Sequence, residues 1–260
     1  MRIIYPYNPL NSKEADEPYQ DEYLVLKSAC INCSLFDFDT LNFDGFKPKP
    51  KVESGESILY RGWMLNPDGY KRLVTLIEGL GAYPITSYDN YIKCHHLPGW
   101  YEQCVDYTSE TKFFSNDEKL RENIASLKWD AYFIKDFVKS NTTEKGSIAS
   151  SPSEAIDIVQ LIQKYRGEIE GGIAVRRVER YLKDTETRYF VMNSKVYSPD
   201  GETPEILKHI VKLVKTPFYS VDIIQREDGE LRVVEIGDGQ VSDKKTWDTT
   251  RFTQMLMENT

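Results

Sequence analysis

The sequence predicts an α+β protein, with a small α/β unit in front and a sheet-rich unit behind it. Three observations carry this. The middle of the chain runs strand, polar loop, helix between Ala131 and Gly167. From Gly172 onward, strand-like segments outnumber helical ones, and Asp228-Gly229 marks a tight hairpin between two of them. Ahead of both, an apolar strand at Ile3 and another at Ile58 bracket a first third rich in turns and aromatics, and a capped helix follows.

Taken in order, Ile3-Ile4-Tyr5 and Ser57-Ile58-Leu59-Tyr60 read as short strands, the second preceded by the extended connector Pro48-Lys49-Pro50-Lys51. Asn66-Pro67 opens a helix, with Asn as N-cap and Pro at the first helical position. Leu73, Val74, Leu76, Ile77 and Leu80 form its apolar side, and Gly81 ends it. Ser115-Asn116-Asp117-Glu118 has the pattern of a capping box and predicts a helix to Leu127. Residues 131–139 read as a strand by aromatic and β-branched content, and a polar loop follows over 141–150. Ser151-Pro152-Ser153-Glu154 is a second capping box, whose helix carries Ile156, Ile158, Val159, Ile162 and Tyr165 to Gly167. Strands are then expected over 172–181, 187–192, 195–197, 218–225 and 230–236. A helix after Thr203-Pro204 turns Ile206, Leu207, Ile210, Val211 and Val214 inward, and another closes the chain from Trp247.

Charge narrows the function classes. The 260 residues hold 33 Lys and Arg against 41 Asp and Glu, a net charge of −8. An acidic chain lacks the cationic excess that broad nucleic-acid binding needs to displace counterions. No apolar run is long enough to span a bilayer, and the start Met1-Arg2-Ile3-Ile4-Tyr5-Pro6 is too short for a signal peptide. A cytoplasmic protein is the expectation. Cys30, Cys33, Cys94 and Cys104 then read as reduced thiols. Cys30-x-x-Cys33 with Cys94-His95-His96 offers four zinc ligands, but adjacent histidines on a strand point apart, which favours small packed side chains.

Chemistry is expected where charge sits on strands. Asp222 lies in the first strand of the last hairpin and Glu235 ends the second, so the two can converge across it. Asp238 follows in Gly237-Asp238-Gly239, read as a flexible loop. Converging carboxylates repel unless a hard divalent cation relieves them, and Mg²⁺ so bound usually shares its shell with phosphates. The alternative is a solvated edge. Glu186 and Arg188 fall two residues apart on one strand face, suited to ribose hydroxyls and phosphate oxygens, or to a surface ion pair. Lys135 sits on an apolar strand ahead of a Gly-containing loop, where a buried lysine needs an anion; Lys139 competes for the role. Arg61-Gly62-Trp63, after the strand ending in Tyr60, has the form of a ligand-facing loop or of a turn with a packed Trp.

Together these residues resemble the ATP-grasp superfamily over about residues 110–250. Val178-Glu179-Arg180-Tyr181-Leu182 followed by Glu186 resembles the family's adenine hinge and ribose-binding acid. Asp222 with Glu235 resembles its paired magnesium ligands, and Lys135 its nucleotide lysine. Glu186-x-Arg188-x-Phe190-Val191 and the terminal Glu-x-x-Asp-Gly are similar to a clade, common in phages and bacteria, marked by two arginines and a lysine. They are similar also to cell-division-cycle ATP-grasp proteins that assist assembly of a translation initiation factor. The family's Glu-x-Asn is changed here, with Gly237 in the Asn position, and Asp238 is expected to substitute. The phosphate loop over 141–150 holds only Gly146.

The resemblance implies a pre-ATP-grasp α/β domain over 1–110 and an ATP-grasp domain over 111–260, its smaller subdomain 111–180 and its larger, metal-bearing subdomain 181–260. It implies ATP and one or two Mg²⁺ ions as cofactors. The implied reaction is formation of an acylphosphate on a small-molecule or peptide carboxylate, then attack by an amine. Lys135 and Arg188 would neutralise the moving phosphoryl group, the backbone of 180–182 would read adenine, Glu186 the ribose, and Arg61 the acceptor carboxylate. The rival implication is an ATP-binding assembly factor with a protein partner and no covalent product. Neither carries a membrane or nucleic-acid partner.

Overall fold

The computed structural model describes residues 1–42, 45–138 and 146–260. Helices and sheets are mixed, as an α+β chain requires. The chain divides into two compact units, one made of 1–92, 188–221 and 237–260, the other of 93–187 and 222–236.

The first stretch builds a mostly parallel sheet around β1 (Arg2–Asn8). β2 (Asn11–Ala15) folds back on its end antiparallel, and α1 (Gln20–Ser28) leads to β3 (Cys33–Phe36), which pairs parallel with Ile3 opposite Cys33. β4 (Ser57–Tyr60) lies parallel against β1, with Ile3 opposite Leu59. α2 (Pro67–Gly79) is capped as its sequence predicts: the Asn66 side chain accepts from Gly69 N–H at 2.9 Å, and Gly81 takes φ +75° past its end. Its Tyr70, Leu73 and Ile77 pack with Ile4, Ile58 and Tyr60. β5 (Tyr83–Pro84) extends the sheet beyond β4. Tyr88–His95 is α3. This corrects the expectation that His95 and His96 lie on a strand: His95 ends a helix, and His96 caps α4 (Leu97–Tyr101).

The second unit holds an antiparallel sheet in the order β6-β9-β7-β8. Its elements are β6 (Thr111–Phe114), α5 (Leu120–Ser126), β7 (Tyr132–Asp136), β8 (Ile148–Ala149), α6 (Pro152–Arg166) and β9 (Ile173–Arg177). The predicted box at 115–118 does not cap α5. Asp117 instead accepts from Lys119 N–H at 2.9 Å, a local turn that delays the helix to Leu120. The second box does cap: Ser151 Oγ accepts from Glu154 N–H at 3.2 Å, while the Glu154 carboxylate takes both the N–H and hydroxyl of Ser150. Ile158, Val159 and Ile162 of α6 pack with Ile124 of α5 and Ile134 of β7. Tyr165, one of the apolar series that predicted this helix, is 65% exposed. The helix reaches the core through Ala155 and Ile162 on the same face, and Tyr165 falls past its edge. Lys139 and residues 141–145 of the expected phosphate loop lie outside the described residues.

The remainder forms a sheet in the order β11-β10-β12-β13. β10 (Thr187–Met192) and β11 (Lys195–Tyr197) pair antiparallel across Asn193 and Ser194, both at positive φ. α7 (Glu205–Leu213) buries Leu207 and Ile210. β12 (Phe218–Gln225) and β13 (Leu231–Asp238) flank Gly229, whose φ of +92° suits the predicted tight turn. The chain ends in α8 (Thr249–Met257), capped by Asp248. Phe190 meets Trp247 and Phe252 edge-on at 5.2 and 5.0 Å, in one core with Ile3, Tyr5 and Leu59. The strand expected over 172–181 stops at Arg177, since the chain turns into an isolated bridge at Tyr181.

Candidate functional site

In the second unit, β7 presents Lys135 from the sheet interior, opposite Ala174 of β9. Lys135 is 5% exposed, and its Nζ donates to Glu235 Oε1 at 2.8 Å. A buried ammonium needs an anion, and here β13 supplies it. Asp222 of β12 is also buried. One residue missing from the sequence reading is Arg176 of β9, which is buried and donates to the carbonyls of Val234 and, at 3.5 Å, Val233. Burial pulls its guanidinium below the usual range, while Glu235 is among the charges opposing that pull. Arg176 thus fixes the backbone beside Glu235. Its neighbour Arg177 is exposed, so two adjacent arginines gave no sequence signal as to which one faced inward.

The expected hinge is anchored by its acid. Glu179 binds Arg232 through both oxygens at 3.2 Å and accepts from Tyr181 and Ser109 hydroxyls at 2.8 and 3.1 Å. Burial raises its carboxyl, and Tyr181, Arg232 and Ser109 pull it further the other way, below the ordinary value. The Glu179 side chain is therefore a structural clamp. Two of the backbone groups expected to read adenine are engaged in the bridge to 225–227: the Arg180 carbonyl accepts from Glu227 N–H, and the Leu182 N–H donates to Gln225. Arg180 and Leu182 side chains are exposed, as is Glu186, which lies just before β10 rather than on it. A cleft of about 410 Å³ borders the hinge, lined by Tyr101, Glu110, Arg177, Val178, Glu179 and Arg226.

The first unit holds the other expected residues. Arg61 is 1% exposed and does not face a ligand. Its guanidinium forks onto the buried Glu22 at 2.9 and 3.0 Å and donates to the carbonyls of Gly239, Gln240 and Ser242. The ligand-facing expectation for Arg61 is corrected: an internal carboxylate consumes the fork that a substrate carboxylate would need. Trp63, next to it, is 43% exposed and donates to Asp16. Asp238, expected in a flexible loop, is the last residue of β13 and fully buried. Its Oδ1 accepts from Gln240 twice at 3.0 Å, and its Oδ2 has no hydrogen-bond partner among the described residues. Burial pushes this carboxyl up to about 7 despite Gln240 and Arg61. An orphan buried oxygen calls for a proton or a cation, and carboxylate oxygens are the donors a hard ion such as Mg²⁺ prefers. Arg188 of β10 is buried, and its Nη1 donates to Asp243 Oδ1 at 2.9 Å.

Residues 99–256 match the family model described as ATP-grasp domain, R2K clade family 3. The chain belongs to this family. No curated protein sequence matches the chain. Solved structures share the ATP-grasp fold at low identity. D-cycloserine synthetase DcsG superposes with a TM-score of 0.66 at 12% identity, covering 100% of this chain and 99% of its own. Macrocyclase MdnC of Microcystis aeruginosa, bound with precursor peptide MdnA, gives 0.63 at 12%, with 99% and 100% covered. The D-alanine-D-alanine ligase of Coxiella burnetii gives 0.62 at 11%, with 95% and 89% covered. An ATP-grasp chain built this way has no described helix long and apolar enough to cross a membrane.

Proposed function

We propose that this ATP-grasp chain is an ATP- and Mg²⁺-dependent ligase that joins a carboxylate to an amine through an acylphosphate. The observation that carries the reading is the buried Lys135, held 2.8 Å from Glu235 in a family built around nucleotide. Bound Mg²⁺–ATP would supply the phosphoryl group and part of the charge neutralisation its transfer needs. Asp222 and Glu235 are the carboxylates assigned to the ion. Asp238, whose buried Oδ2 has no hydrogen-bond partner among the described residues, is proposed as a further candidate ligand.

Lys135 has a defined task in this reading. Paired with Glu235 it is fixed in place, so it meets an incoming phosphate oxygen without first being ordered. Arg188 offers a guanidinium, and among its partners Asp243 is 77% exposed by side chain and thus readily exchanged for phosphate. Glu186 is assigned to the ribose hydroxyls. In the first step a carboxylate oxygen attacks the terminal phosphorus and the bond to ADP breaks. In the second the amine attacks the acyl carbon, phosphate leaves, and the nitrogen gives up a proton. The solved relatives named for ligases and for a peptide macrocyclase support a small-molecule or peptide acid with an amine acceptor.

The test is ADP release from the purified chain against a panel of acids and amines. Release should require one of each. Asp222→Asn and Glu235→Gln should each abolish it while leaving the chain folded, the second with a lowered unfolding temperature because Lys135 loses its anion. Normal turnover by both variants would overturn the metal assignment.

A further inference from the structure

Away from these residues, the second unit brings together three side chains with no part in the proposed reaction. His95 ends α3, His96 caps α4, and Glu170 lies between α6 and β9. His96 Nε2 lies 3.0 Å and His95 Nε2 3.4 Å from the same oxygen, Glu170 Oε1. The three ligand atoms all fall within 4.8 Å of one another. Around a tetrahedral Zn²⁺ with bonds of about 2.0–2.1 Å, adjacent ligand atoms stand roughly 3.3 Å apart. The two histidine–carboxylate separations bracket that edge length.

The backbone around these groups is fixed. Glu170 O accepts from Phe137 N–H and Gly172 N–H, while Leu97 N–H beside His96 donates to Phe137 O at 2.8 Å. Both arms of the cluster are thus tied to Phe137. Gly171 is required there: it holds φ +77°, and a Cβ on it would stand 2.4 Å from the Phe137 ring. His95 is buried, whereas the His96 and Glu170 side chains keep 18% and 16% exposure. An ion could therefore enter from the His96–Glu170 side and keep a water as its fourth ligand.

We infer that His95, His96 and Glu170 form a divalent transition-metal site of the two-histidine, one-carboxylate type, taking Zn²⁺ with a water in the fourth position. Imidazole and carboxylate donors suit this ion and leave Mg²⁺ to all-oxygen sites. The ion would bridge the α3–α4 junction to the loop before β9.

The test uses the full chain, stripped with chelator and free of ATP and Mg²⁺, titrated with Co²⁺ and then Zn²⁺. One equivalent of Co²⁺ should give a tetrahedral visible spectrum without a thiolate charge-transfer band, and Zn²⁺ should displace it. The sequence has three histidines, so paramagnetic Co²⁺ should shift two ring signals and leave the exposed His209 in place. Outer-shell changes alone cost metal sites roughly 10–100-fold in affinity, so losing a ligand in His96→Gln or Glu170→Gln should cost at least about tenfold. Cys30→Ser and His209→Ala should cost nothing. The histidine shifts are read on the parent chain, so they stand even where a variant folds poorly. Absence of saturable binding, undiminished binding in both ligand variants, or a thiolate band lost with Cys30 would overturn the site.

Discussion

Lys135 and Arg61 are both buried cations, and in the proposed reading only the first meets a ligand. Arg61 answers to Glu22, which is fully buried, and to three carbonyls that follow Asp238. Arg61→Met should destabilise the fold by about 3–5 kcal/mol, because it leaves the buried Glu22 without its ion-pair partner and only the Tyr5 hydroxyl bonded to it. Denaturant unfolding measures this. The double variant Glu22→Gln, Arg61→Met should recover much of the loss, and Arg61→Lys little, since an ammonium cannot fork onto both oxygens. Glu179 supplies a pH signature. Its folded-state carboxyl sits below the unfolded value of about 4.3, so its stabilisation is complete above that pH and is lost as pH falls through the folded value. Glu179→Gln should flatten the acid limb of a plot of stability against pH; an unchanged limb would count against the clamp. Among the thiols, burial pushes Cys33 up to about 12 and Cys104 up to about 11, and Cys30 alone of the four is exposed. A thiol reagent should modify one cysteine quickly in the native chain and the others only on unfolding.

At the scale of elements, the caps give the sharpest expectation. Ser151→Ala should cost about 1 kcal/mol through loss of the bond to Glu154 N–H, read as a lowered unfolding temperature. The same substitution at Ser115 should cost nothing of this kind, because Asp117 turns the chain instead. These two boxes show why part of the fold was legible from sequence and part was not. Where a cap preceded a clear apolar face, as at Asn66 and Ser151, boundaries followed from local chemistry. α1 was missed because Gln20-Asp21-Glu22-Tyr23 reads polar, and the burial of Glu22 depends on a distant arginine. β3 was missed because Cys33-Ser34-Leu35-Phe36 has no alternation, being buried on every residue. Among the residues proposed for the site, Lys135 and Asp222 stood out as charges on apolar strands, and both are buried. The inward turn of Arg176 and the internal pairing of Arg61 were not legible, because each is decided by a carbonyl or carboxylate far away in sequence.

At the scale of the whole molecule, nucleotide binding should appear as stability. Ligand at about a hundred times its dissociation constant adds roughly 2.7 kcal/mol. For a chain of this length that corresponds to a rise on the order of 5–10 °C. The rise should need ATP and Mg²⁺ together, and should shrink in Asp222→Asn; no rise at millimolar ATP would remove the basis for the ligase reading. One feature of the first unit bears on how the chain is made. Its core joins Ile3, Tyr5 and Leu59 to Phe190, Phe218, Trp247 and Phe252. Domains that occupy one run of sequence fold as they emerge from the ribosome, early segments first. Here Ile3 and Tyr5 can meet Tyr19, Tyr23 and Leu26 early, but the rest of their core arrives only when α8 has been synthesised. Until then the nascent chain presents a half-covered apolar face, which is the kind of surface that chaperones hold.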